Sequence, residues 1–330
     1  MSAKPVFLIT AADLAPEALA LLGDYEVVFA GRTPIEDDIV ALCKRHDPIA
    51  IILRYGKVGA TAMDATPSLK VISKHGSGTD TIDRMAAEAR GIEVVAAVGA
   101  NATAVAEHAL ALLLACAKSV VALDKRMHAG HWDKATHKSV ELQGRTVGVI
   151  GLGATGQRFA RLADAMGMRV LGFDPFASAL PAYVHRAELK SIWRESDAIS
   201  LHCPLTADNA ELLNAKTLAA CKRGVIIVNT ARGGLIDEAA LLQAVRSGRV
   251  ASAGLDSFAV EPMTTPHPFQ GEARITLSPH VAGVTAEAHV TMGIAAASNA
   301  LAVINAPTRP IPRHLAASSS HLIPSSPSGQ

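Results

Sequence analysis

Short apolar runs alternate with amphipathic stretches over the first hundred residues. VFLIT (6–10), IAIIL (49–53), LKVIS (69–73) and IEVV (92–95) predict strands, and the stretches at 15–22 and 81–90 predict helices between them. Strand and helix in alternation predict a parallel sheet covered on its faces. A long apolar helix is then expected over 102–129, with Asn101 as its N-cap and Gly130 as its stop. After a polar stretch at 131–143 a second alternating series begins. Its strands are expected at 145–150, 169–174, 198–202, 225–229, 251–256 and 274–278. Six strands with intervening helices make up a complete dinucleotide-binding sheet. A last helix is expected over 286–303, and the Ser- and Pro-rich end at 315–330 reads as a disordered tail. No internal repeat is present.

The second series opens with Gly151-Leu-Gly153-Ala154-Thr155-Gly156. The motif follows an expected strand and begins an expected helix, which is the context a dinucleotide fingerprint needs. Gly151 permits the tight turn, Gly153 leaves room for a pyrophosphate, and Gly156 lets helix and strand pack closely. Asp174 ends the next strand, where a carboxylate accepts hydrogen bonds from ribose hydroxyls and repels a 2′-phosphate. NAD rather than NADP is therefore expected.

Later strand ends carry three more polar groups: Arg232 in NTARGG, Glu261 in DSFAVEP and His280 in SPHVAG. Ligands of open α/β sheets bind outside the carboxyl ends of the strands. Hydride transfer to C2 of a 2-oxo acid leaves charge on oxygen, so an acid must supply a proton. His280 suits that role, Glu261 would orient and favour its imidazolium, and Arg232 would fork to the substrate carboxylate. A hydride transfer between NAD and a small 2-hydroxy or 2-oxo acid is the expected chemistry.

Composition narrows this reading. A formal net charge of +1 suggests neither nucleic acid nor an anionic membrane as partner. Four cysteines, Cys43, Cys116, Cys203 and Cys221, form no CxxC pair, so neither a zinc site nor a disulfide framework is expected and a reducing cytoplasm fits. The apolar stretch at 102–123 is broken by Glu107, His108 and Lys118, and its uninterrupted part falls far below the roughly 20 residues a membrane span needs. Beyond Arg54, Lys57 and Lys74, which solvent would suit equally well, no basic cluster argues for a phosphorylated substrate.

The motifs GSGTDTID, NATAVAEHALALLLA, ELQGRTVGVIGLGATG, CPLTADNAELLNAKTL, VNTARGGLIDEAAL, LDSFAVEP and LSPHVAGVT occur in that order. With them the chain resembles the D-2-hydroxyacid dehydrogenases. The resemblance implies an α/β protein of two doubly wound parallel-sheet domains. A flavodoxin-like substrate domain would comprise residues 1–99 and 287–314, and a central Rossmann NAD domain residues 100–286. It implies Arg232, Glu261 and His280 as the catalytic trio. Arg54, with His75, Gly76, Ser77 and Gly78, would hold the substrate carboxylate. Thr103, His202, Cys203, Pro204, Thr230, Ala231, Asp256 and Gly283 would join the glycine motif and Asp174 around NAD. A homodimer built partly on the helix after Asn101 is also implied. The implied substrates are glyoxylate, hydroxypyruvate and 3-phosphohydroxypyruvate, with the first two favoured for so compact a chain. An NAD(H)-sensing corepressor-like protein of the same fold is the alternative. Ala154 and Thr155 stand where the family often has Arg-Ile or His-Ile, Ser257 where a branched apolar residue is commoner, and Pro279 where formate dehydrogenases carry Gln. A regulatory C-terminal domain, and feedback through it, is not expected.

Overall fold

The computed structural model describes residues 4–263 and 265–306. The tail expected at 315–330 lies outside the described residues. The first unit runs β1 (Val6–Ile9), α1 (Pro16–Leu21), β2 (Glu26–Phe29), α2 (Glu36–His46), β3 (Ala50–Leu53), α3 (Ala60–Asp64), β4 (Val71–Lys74), α4 (Arg84–Ala89) and β5 (Glu93–Ala96). Its five parallel strands are ordered β2-β1-β3-β4-β5, the flavodoxin-like doubly wound arrangement. Alternation along the strands divides the core. Phe7, Ile9, Ile52 and Val71 face one side, and Leu8, Ile51, Leu53 and Ile72 face the other, all fully buried. Burial on both faces explains why β3 and β4 read as unbroken apolar runs.

The second unit runs α5 (Ala102–Lys118), α6 (Val120–His128), β6 (Thr146–Ile150), α7 (Ala154–Ala165), β7 (Arg169–Phe173), β8 (Val184–Arg186), α8 (Leu189–Glu195), β9 (Ala198–Leu201), α9 (Ala215–Ala220), β10 (Val225–Asn229), α10 (Glu238–Arg246), β11 (Val250–Leu255) and β12 (Ile275–Leu277). The sheet order β12-β11-β10-β9-β6-β7-β8 is the Rossmann order with a seventh strand added at one edge. Strand order reverses between β6 and β9, and the glycine motif sits at the carboxyl end of β6, beside that switch point.

Three expectations need correction. β2 and β8 were not anticipated. β2 is a four-residue edge strand without fully buried positions and β8 has only three residues, so neither shows a clear period. The long helix is two helices bent by 62° at Ser119, whose φ of +54° is left-handed. Asn101 precedes α5, but its side chain makes no capping hydrogen bond.

The last helix, α11 (Ala286–Asn305), returns to the first sheet. Its Ala296, Ala297 and Ala300 are fully buried among the residues of β1, β3 and β4. Ser73 Oγ donates to the Ala296 carbonyl at 2.8 Å, and Asn299 Nδ2 donates to the Ala96 carbonyl at 3.0 Å. Among the described residues α11 is the one continuous helix long and apolar enough to cross a membrane, and that apolar face is spent on the sheet.

Candidate active site

The carboxyl ends of the second sheet form a cradle of backbone. Gly151 has φ +90°, and a Cβ there would stand 2.6 Å from the Cys203 nitrogen. A Cβ at Gly156 would overlap the Gly151 carbonyl, so β6 and α7 meet only because both residues are glycines. Gly153 faces open space and has no side chain to cap α7, which leaves the amides of the first turn available to an anion. Ala154 is exposed and Thr155 half-buried beside them. Asp174 accepts from Leu152 N at 2.7 Å with one oxygen and from Phe176 N at 2.9 Å with the other. Each oxygen keeps lone-pair capacity for a ribose hydroxyl. Thr230 Oγ and His202 Nδ1 are buried without a protein partner. His202 holds Ser200 through Nε2 at 2.8 Å, and burial pushes its imidazole down to about 3, so the ring is neutral. Pro204 is exposed, its carbonyl bonded by Asn209. Ala231 N donates to Asn229, and Thr103 is exposed in the first turn of α5. These groups fit a dinucleotide: open glycine backbone for phosphates, a braced carboxylate for ribose and unpaired buried polar atoms nearby.

The first unit meets this edge through its glycine loop. Arg232, after β10, donates from Nε to Asp80 at 2.9 Å and from Nη1 to the Ala231 carbonyl at 2.7 Å. Its Nη2 also lies 2.9 Å from Asp80. A Cβ at Gly78 would overlap that Nη2, so the guanidinium lies directly on the glycine loop. Gly76 has φ +144°, and Ser77 accepts from the Gly99 amide at 3.3 Å. Arg54 is tied to Asp13 at 2.8 Å and lies over the Tyr55 ring. Lys74 Nζ donates to the Arg54 carbonyl at 3.1 Å. Burial, then the charge of Arg232, pushes Lys74 down to about 8. His75 is buried, faces His289 with ring centroids 5.6 Å apart, and has an unpartnered Nε2. Burial first and the Arg54 charge second push His75 down to about 4. Lys57 is exposed.

The remaining pair comes from two loops of the second unit. His280 Nδ1 lies 2.6 Å from Glu261 Oε2, and Glu261 Oε1 accepts from Phe258 N at 2.9 Å. His280 has φ +54°, a left-handed conformation that a bulky residue adopts only under constraint. Asp256 supplies that constraint. It is fully buried and accepts from Ser278 Oγ at 2.6 Å, Val281 N at 2.9 Å and Ala282 N at 2.8 Å. Its carboxylate thus braces the turn that carries His280, with His108 Nε2 bonded to Ser278 at 2.9 Å. Gly283 lets Asn101 approach, since a Cβ there would stand 2.6 Å from Asn101 Nδ2.

Sequence reasoning did not single out Asp80, His108 or His289. Asp80 stands inside the quoted GSGTD motif, yet only its contact with Arg232, 152 positions away, reveals a role.

The fold is shared with solved proteins. A Thermus thermophilus protein, TT0316, superposes with a TM-score of 0.83 at 34% identity over 91% of this chain and 96% of its own. A glyoxylate reductase from Paecilomyes thermophila gives 0.82 at 29% identity over 93% and 97%. Residues 110–282 match the family described as D-isomer specific 2-hydroxyacid dehydrogenase, NAD binding domain. This chain belongs to the D-isomer specific 2-hydroxyacid dehydrogenase family. NAD is accordingly the cofactor that its glycine cradle serves. Among family members, the D-3-phosphoglycerate dehydrogenase of Mycobacterium bovis is 41% identical over 293 residues, 88% of this chain and 55% of that one. The hydroxypyruvate reductase of Thermotoga maritima is 39% identical over 280 residues, 84% of this chain and 92% of its own. The chain thus spans about half the length of the mycobacterial relatives it matches and nearly all of the Thermotoga one.

Proposed function

We propose that the protein is an NAD-dependent D-2-hydroxyacid dehydrogenase working on glyoxylate, hydroxypyruvate, 3-phosphohydroxypyruvate or a 2-oxo acid of that class. One observation carries this reading: Arg232 lies on the glycine loop of the other unit, while a 2.6 Å Glu261–His280 pair stands at ends of the same sheet. The names of the relatives support the same chemistry.

Bound NADH supplies the hydride. Arg232 anchors the substrate carboxylate with the planar fork that lysine lacks. In the loop of His75, Gly76, Ser77 and Gly78 the last two residues offer backbone amides to the same group, those of His75 and Gly76 being donated to the Leu53 and Lys74 carbonyls. The Nδ1 bond to Glu261 leaves His280 Nε2 to hold the proton that the developing alkoxide takes. The Glu261 carboxylate fixes the orientation of the ring. Closure of the two units over bound substrate would keep water from screening Arg232 and the oxyanion, since the Arg232 and His280 side chains are still 32% and 48% exposed.

We also propose a homodimer. Val120, Val121 and Met127 on α6 are each at least 52% exposed, and Trp132 beyond it is 75% exposed. Such an apolar group suits burial against a second copy. Sedimentation should give a dimer that Val121→Glu shifts towards monomer.

The primary test is NADH oxidation with glyoxylate, hydroxypyruvate and 3-phosphohydroxypyruvate. Turnover of at least one is expected. NADH binding without turnover across a broad 2-oxo acid panel would overturn the reading.

A further inference from the structure

We propose that Glu238 and His267 are positioning residues for the Glu261–His280 pair. The inference rests on the function just proposed and adds to it two residues outside the reacting groups. The loop after β11 presents successive amides in different directions. Phe258 N donates to Glu261 Oε1 at 2.9 Å, and Ala259 N donates to Glu238 Oε1 at 2.9 Å. The loop is therefore held between the carboxylate it carries and one fixed at the first residue of α10. The second oxygen of Glu238 lies 3.3 Å from His267 Nε2.

The tautomer of His267 follows from its other nitrogen. Nδ1 accepts from Phe269 N at 3.3 Å, so the proton sits on Nε2, the nitrogen that faces Glu238. Phe269 and Phe258 set the ring edge-on, with centroids 4.9 and 6.3 Å away. The His267 side chain is 11% exposed and that of Glu238 24%, so the contact between them is screened less than it would be in water.

The same loop touches the turn of Arg232. A Cβ at Gly233 would overlap the Phe258 backbone, so turn and loop pack without a gap. Glu238 also stands in the first turn of α10, where any acid is favoured by the helix dipole. That general role does not require the bond to Ala259 or a tautomer-fixed histidine behind it.

The experiment uses the full chain and its Glu238→Ala, His267→Leu and His267→Gln variants, with and without Glu261→Gln. Glu238→Ala and His267→Leu should lower kcat about tenfold with the KM for NADH unchanged, within the ~10²-fold that a 1 Å misplacement costs. His267→Gln keeps an N–H donor and should stay within about twofold of the starting kcat. On the Glu261→Gln background Glu238→Ala should add nothing, because residues acting through one group are not additive. Without cofactor, the Phe258 amide should exchange faster in Glu238→Ala, reporting release of Glu261. An unchanged kcat, an equal loss on both backgrounds or an unchanged Phe258 amide would overturn the proposal. If Glu238→Ala does not fold, Glu238→Gln replaces it, since its NH2 would oppose the Nε2–H of His267. If the unmodified chain reduces no 2-oxo acid, the proposed function falls, and the Phe258 amide still decides the positioning claim.

Discussion

His280 combines an exposed ring, a left-handed backbone and a 2.6 Å bond to Glu261. General acid catalysis contributes typically 10²–10⁴ in rate. His280→Ala should therefore lower kcat for 2-oxo acid reduction by about that factor and leave the NADH dissociation constant nearly unchanged, as fluorescence titration would read; a loss under about fivefold would refute the assignment. Arg232→Lys should also fail, because one ammonium cannot keep Asp80 and fork to a carboxylate together. Lys74 adds a pH dependence. It is charged below about 8 and loses its proton as pH rises through that value. One positive charge then leaves the neighbourhood of Arg232, so KM for the oxo acid should rise between pH 7 and 9.5, and Lys74→Met should flatten the rise. A KM profile identical in both proteins would exclude Lys74.

Elements differ in how far the sequence disclosed them. β3, β4, β6, β9 and β10 are buried on both faces and read directly as apolar runs. β2 and β8 lie at sheet edges with few buried positions, so neither shows a strand's period, although the Val-Val-Phe of β2 favours a strand. The break at Ser119 was hidden because neither Gly nor Pro marks it and apolar residues stand on both sides of it. Asp174, Arg232, Glu261 and His280 were legible because each stands just beyond a strand end. Asp80 was not, because its meaning depends on contact between two units far apart in the chain. Nor was the bracing role of Asp256, whose carboxylate turns inward to the His280 turn. The glycine loop offers a test at this scale. Gly78→Ala would drive a methyl group into Arg232 Nη2. KM for the oxo acid should rise at least about tenfold while Tm changes little; an unchanged KM would mean that Arg232 swings clear of the loop.

At the scale of the molecule, buried neutral histidines govern the response to acid. His75 and His202 are pushed down to about 4 and about 3. Their pKa values in the unfolded chain are near 6.5, so between roughly pH 6.5 and 4 the unfolded state binds more protons. Stability should therefore fall as pH is lowered through that window. Urea unfolding at pH 7 and pH 4.5 would read the change, and His202→Gln should reduce it; an equal pH dependence in both proteins would show that His202 does not contribute.

The covering of the first sheet by α11 sets an order of assembly. The strands β1 to β5 are made early, yet their Phe7, Ile9 and Val71 are sealed by Ala296, Ala297 and Ala300. During synthesis that sheet must wait, greasy side uppermost, while everything up to β12 leaves the ribosome. The intervening unit, contiguous from α5 to β12, has all its own strands in hand first. Nascent chains arrested before α11 emerges should thus hold a protease-resistant middle and a cleavable front, and the front should become resistant only once the last helix is released.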